Sequence, residues 1–154
     1  MTTKWVCDRC GQTIEKPSDG VLQWMSSATV PRKGRDVQIV HHATASPLGG
    51  RSGCYFNEQL ELQKDGMIMG DLSLDHLLSA DGLMNLLCIV SRNFLPLDEL
   101  LQAIQRIHIP GYEAALPYFA DAVSRGEIDP NMPKGFYWQS EIQSVLQTYP
   151  RDDD

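Results

Sequence analysis

A chain of 154 residues, 42% hydrophobic and 21% charged, has the means to bury a core of its own. No apolar run approaches the roughly 20 residues that span a bilayer, so a membrane partner is not expected. The formal net charge is −7 and uneven: residues 1–64 carry eight Lys and Arg against six Asp and Glu, whereas residues 65–154 carry five against fourteen, so only the N-terminal third suits a phosphate backbone.

In chain order, Trp5 and Val6 lead into Cys7-x-x-Cys10-Gly11, a tight turn whose two thiolates can reach one metal ion. The glycine after the second cysteine meets the positive-φ requirement of that turn. Residues 11–20 read as a loop. Val21 to Met25 and Val37 to His41 read as two strands of a hairpin, the second rich in β-branched residues. Arg32, Lys33 and Arg35 lie on the connection between them. A turn-rich segment around Ser46-Pro47-Leu48-Gly49-Gly50 then brings Cys54 into range. Short strands are expected at 54–56 and 60–62, and glycines at 66 and 70 suggest a module boundary. Beyond residue 72 the pattern turns helical. Apolar spacing predicts helices over 80–92, 97–107, 112–125 and 137–148, after a short turn at Leu74, Leu77 and Leu78.

This gives an α+β fold: an N-terminal zinc-bound β-hairpin module over residues 1–66, then an acidic bundle of about four helices over residues 67–154. The start of the chain, Met1 to Cys7, shows no apolar core of signal-peptide length. A reducing cytoplasm is the expected compartment, where cysteines read as metal ligands and core thiols rather than disulfides. The expected cofactor is a structural Zn²⁺ held by Cys7, Cys10, Cys54 and a histidine. His41 and His42 point to opposite strand faces, so one of them is the ligand. His41 is favoured because it ends the β-branched run, and His42 stays open. Cys88, between Leu87 and Ile89, reads as a buried small hydrophobe. His76 and His108 read as capping or surface residues.

The knuckle, hairpin and second ligand pair resemble a zinc ribbon over the first third of the chain. That resemblance implies a closed structural metal that supplements a small core. A partial resemblance to HNH nucleases rests on Cys7 and Cys10, Ile39-Val40-His41-His42, the Gly49-Gly50 loop and Asn57. It implies His41 as ligand, His42 as general base and Asn57 as the residue orienting it. The closing metal ligand of that family has no counterpart in residues 58–70, which contain no Cys, His or Asn.

The expected function is that of a zinc-stabilised binding or regulatory protein without catalysis, its partner another protein. The acidic helices and the aromatic run Phe136-Tyr137-Trp138 are the expected contact surfaces, because three successive aromatics cannot all enter one core. The alternatives are a nucleic-acid-binding ribbon that uses Arg32, Lys33 and Arg35, and a divergent metal-dependent nuclease.

Overall fold

Trp5–Val6 (β1) and Thr13–Ile14 (β2) pair antiparallel, Trp5 opposite Ile14, and the Cys7–Cys10 turn forms the end of this two-stranded ribbon. Gly11 takes φ 75°, the left-handed conformation expected of the residue that closes the turn. The computed structural model describes residues 3–27, 29–31 and 33–149.

The hairpin is longer at both ends than its apolar runs suggest: Gly20–Ser27 (β3) and Gly34–His41 (β4) pair antiparallel, from Gly20 opposite His41 to Ser26 opposite Gly34. A register shift near Trp24 coincides with a positive φ of 58° at Asp36, the mark of a bulge. A third strand, Met67–Ser73 (β5), pairs with the free edge of β3 and makes it the central strand of an antiparallel sheet ordered β4-β3-β5. Covered on both faces, β3 is buried at every residue from Gly20 to Met25. Gln23 and Met25 meet the Cys54–Phe56 segment, whereas the indole of Trp24 meets the edge of the Phe94 ring.

The segments expected as strands at 54–56 and 60–62 differ. The first is a turn, and the second lies within a helix, Glu58–Asp65 (α1). The Leu60-Glu61-Leu62 alternation mimics a strand, yet both leucines stay exposed. What holds α1 is its ends: Asn57 Oδ1 accepts the Leu60 N–H at 3.1 Å, and Gly66 at φ 71° closes the C-terminus. Gly66 thus joins α1 to a strand of the same sheet that holds the hairpin.

Helices Leu74–Leu77 (α2), Ala80–Arg92 (α3) and Leu97–His108 (α4) follow, and they add Leu74, Leu77, Leu86, Ile89, Leu100, Ala103 and Ile107 to one core with Trp5, Ile14, Leu22 and Ile39. Residues Lys4–His108 form one compact unit on this core, and a second unit begins at Ile109. The latter contains Tyr112–Ala115 (α5), Phe119–Ser124 (α6) and Gln139–Thr148 (α7) around Tyr112, Phe119, Ala122, Ile128, Ile142 and Val145. The single helix expected over 112–125 is interrupted by a 3-10 turn, Leu116–Tyr118, where Pro117 lacks the N–H an α-helix requires. Among the described residues, no helix is long and apolar enough to cross a membrane.

A candidate metal centre

Four side chains converge. One ligand atom each from Cys7, Cys10, His41 and Cys54 lies within 4.8 Å of all the others, close enough to bind one metal ion. Cys7 and Cys10 come from the β1–β2 turn, His41 from the last position of β4, and Cys54 from the loop before α1. Cys7, His41 and Cys54 are buried and Cys10 is half-buried.

The histidine is oriented by its outer nitrogen. His41 Nε2 lies 3.0 Å from the Thr13 carbonyl oxygen, which can only accept, so Nε2 carries the proton. That leaves Nδ1 as the nitrogen that faces the thiols, 3.4 Å from Cys10 Sγ and 3.9 Å from Cys54 Sγ, and in the neutral ring it is the one able to bind a metal. A ring nitrogen held by a backbone carbonyl while the other turns to a metal is a recurrent arrangement in metal sites. Ser46 supplies a similar support, with Oγ 2.9 Å from Cys54 Sγ. Against a thiolate the hydroxyl must be the donor.

The electrostatics of the two knuckle cysteines diverge. Burial pushes the Cys7 thiol up, but backbone hydrogen bonds from Cys10, Arg9 and His41, together with the His41 side chain, outweigh it and leave it lowered to about 7. Cys10 is raised to about 11, first by burial and then by the sulfurs of Cys7 and Cys54. Three sulfurs this close repel one another as thiolates, and a bound cation relieves that repulsion.

The knuckle is fastened from outside the ribbon. Asp8 grips the β4 backbone twice: its N–H donates to the Ile39 carbonyl, and its side-chain Oδ2 accepts the Ile39 N–H, both at 2.8 Å. The same Oδ2 receives Arg106 Nη1 at 2.8 Å, and Arg106 Nη2 donates to the Val6 carbonyl at 3.0 Å. Trp5 Nε1 returns a bond to the Arg106 carbonyl at 3.1 Å. Buried Gln23 performs the corresponding task for Cys54. Its Nε2 donates to the Cys54 carbonyl at 3.4 Å, and its Oε1 accepts the Phe56 N–H at 3.2 Å. Asp8, Gln23, Ser46 and Arg106 are the site residues that sequence reading misses. None carries a local signal, since Asp8 and Arg106 stand 98 residues apart.

Four of the five expected ligand residues are thus together, and His42 is outside the cluster. Its Nδ1 lies 2.9 Å from Thr44 Oγ1 and accepts the Thr44 N–H, and its ring packs edge-on to Tyr55 at 5.8 Å. Asn57, the orienting residue in the nuclease resemblance, caps α1 instead.

Of the residues expected at a contact surface, Arg35 is tied to Asp36 and Glu61 and lies 3.2 Å from Asp65, Lys33 is exposed, and Arg32 falls outside the described residues. In the aromatic run, Tyr137 turns inward against Phe119, 4.8 Å between ring centroids, whereas Phe136 and Trp138 are exposed, Trp138 by 71%. Cys88 is exposed rather than buried, because α3 presents Gly82, Leu86 and Ile89 to the core and Cys88 falls off that stripe. His108 Nε2 meets the Leu77 carbonyl at 2.7 Å, and His76 Nε2 meets the Asn85 side chain at 2.9 Å. No protein-family model matches the chain, nor does any curated protein or solved structure.

Proposed function

We propose that the chain is a zinc-stabilised binding protein, its metal a closed structural brace and its partner another protein. The observation that carries the first part is the convergence of Cys7, Cys10, His41 and Cys54. Zn²⁺ bonds of about 2.3 Å to sulfur and 2.0–2.1 Å to nitrogen set tetrahedral edges of about 3.8 Å between sulfurs and about 3.6 Å between sulfur and nitrogen. The 3.4 and 3.9 Å separations from His41 Nδ1 bracket the latter. Three thiolates and an imidazole suit this borderline-soft ion, and four protein ligands fill its shell without a water position. The brace joins the ribbon, the end of the hairpin and the Cys54 loop, a zinc-ribbon-like arrangement.

The second part draws support from exposed apolar side chains. Met84 and Leu87 stand on the outer face of α3, Met84 exposed by 66%, and Trp138 stands on the other unit. A nucleic-acid reading draws less support, since the Arg35 guanidinium is spent on carboxylates.

Native mass spectrometry of the protein and of single variants tests the brace. One zinc per chain is expected, lost or greatly weakened in Cys7→Ser, Cys54→Ser and His41→Ala and kept in His42→Ala. Retention of zinc in His41→Ala, or its loss in His42→Ala, refutes the ligand set. Hydrolytic turnover that disappears on mutation of one side chain, with zinc retained, refutes the non-catalytic reading.

A further inference from the structure

The two edges of the three-stranded sheet are treated differently. β4 forms one edge, and its outward backbone groups are occupied. Asp8 takes both the N–H and the carbonyl of Ile39, and Glu99 Oε1 accepts the Val37 N–H at 3.1 Å. β5 forms the other edge. Which of its groups point outward follows from Ile39. That residue stands opposite Leu22 and turns its N–H and carbonyl away from β3, so Leu22 turns its own towards β5. Leu22 in turn stands opposite Leu72, in a β3–β5 register that runs without a shift from Val21–Ser73 to Ser27–Met67. Ile68, Gly70 and Leu72 therefore direct their backbone groups at β3, and Met69 and Asp71 present theirs outward. Among the described residues, no hydrogen bond reaches the Met69 or Asp71 backbone from that side.

The devices that blunt an edge strand are missing from β5. It has no lysine, proline or bulge, and Asp71 is its one charge. Helix α1 lies over a face of the sheet rather than over this edge, since its Glu61 and Asp65 reach Arg35 on the far strand, β4. Ile68 is exposed by 40%, and Asp71 and Ser73 are exposed as well.

We infer that β5 pairs antiparallel with β5 of a second copy of this chain, about a two-fold axis at Gly70, and joins two three-stranded sheets into one of six. In this register every residue of Met67–Ser73 has an opposite number. The outward groups of Met69 meet those of Asp71 of the partner subunit, and the reverse, which completes the ladder. Ile68 faces Leu72 of the partner subunit, an apolar pair on either side of the axis. The two Asp71 carboxylates stand on diagonal positions and do not oppose each other. A slip of one residue sets outward groups against inward ones, and a slip of two sets Asp71 on its twin. The strand thus complements itself in one register, and this favours a second copy over a foreign strand as the occupant. The pairing is separate from the metal brace and from the exposed Met84, Leu87 and Trp138 side chains that support a different partner.

The test is sedimentation equilibrium of the zinc-loaded full chain from micromolar to millimolar concentration, with amide hydrogen exchange followed over the same range. A monomer–dimer equilibrium without larger species is expected, because two-fold pairing uses up the edge. The Met69 and Asp71 amides should gain protection as the dimer fills. Asp71→Pro removes an outward N–H that makes no bond within the sheet, at an exposed position, and should weaken the dimer at least about tenfold. Ile68→Lys, which sets a charge against Leu72 of the partner subunit and leaves every backbone group in place, should do the same. Met84→Ser and Trp138→Ser should leave the dimer unchanged. The inference is overturned if the chain stays monomeric at millimolar concentration, or if a dimer forms that Ile68→Lys does not weaken. It is equally overturned if Met84→Ser or Trp138→Ser weakens the dimer as much as Ile68→Lys, for then another surface holds the copies together.

Discussion

Between the adjacent histidines the difference is one of orientation. A one-residue step along β4 sends successive side chains to opposite faces. His41 faces the sulfurs while its Nε2–H donates to the Thr13 carbonyl, and His42 faces Thr44 and Tyr55. The period-two argument was available from sequence, and so was the preference for His41. What could not be read was the identity of the supports, because a carbonyl from β2 and a hydroxyl from a turn-rich loop leave no pattern. Ser46 gives the sharpest test of those supports. Ser46→Ala removes the hydroxyl at Cys54 Sγ without touching a ligand and should weaken zinc by about tenfold. A competition titration against a chromogenic chelator measures it, and an unchanged affinity means that the hydroxyl does not support the thiolate.

Among the elements, α4 is the one whose role differs most from its amphipathic pattern. Periodicity identifies the helix, but not that its Arg106 reaches back to the β1 ribbon. The guanidinium is buried and the Asp8 side chain is 31% exposed. Arg106→Met removes the charge, keeps much of the apolar stem, and takes one hydrogen bond each from the Asp8 carboxylate and the Val6 carbonyl. A fully buried pair broken this way costs about 3–5 kcal/mol. With Asp8 a third exposed, about 2 kcal/mol is expected, read as a lower urea midpoint at unchanged slope. A second substitution, Asp8→Asn, should then cost less in the Arg106→Met background than in the parent, since the two act as a pair. Equal costs in both backgrounds refute the coupling. The strand β5 and helix α1 show the complementary limit. Met67–Ser73 holds two methionines and a glycine and has weak β-propensity, so its pairing with β3 across some forty residues is decided by the free edge it fills.

For the whole molecule, the candidate metal cluster belongs to the larger core. Cys7 and Cys54 are packed with Trp5, Leu22, Ile39, Leu77 and Leu100, and the sheet and helices α2 to α4 share that core. The second unit has a core of its own around Tyr112, Phe119, Ile142 and Val145. Metal removal therefore acts on one unit first. Chelation of the full chain should raise hydrogen exchange at Val21, Leu22, Ile39 and Leu100 amides, and leave Phe119, Ile142 and Val145 amides protected. Uniform loss of protection across both sets means that the two units unfold as one, and unchanged protection in the first set means that the metal adds no stability there.

Local chemistry was legible in the sequence alone. The Cys-x-x-Cys-Gly turn, the β-branched run ending at His41, and the apolar stripes of α3, α4 and α7 each state their structure within a dozen residues, because turn geometry and periodicity are short-range. Tertiary structure decided what joins across distance. It chose His41 through the Thr13 carbonyl, set β5 against β3, and drew α4 onto the Cys7–Cys10 turn through Arg106. These depend on which surfaces bury one another, and burial is a property of the assembled chain rather than of any stretch of it.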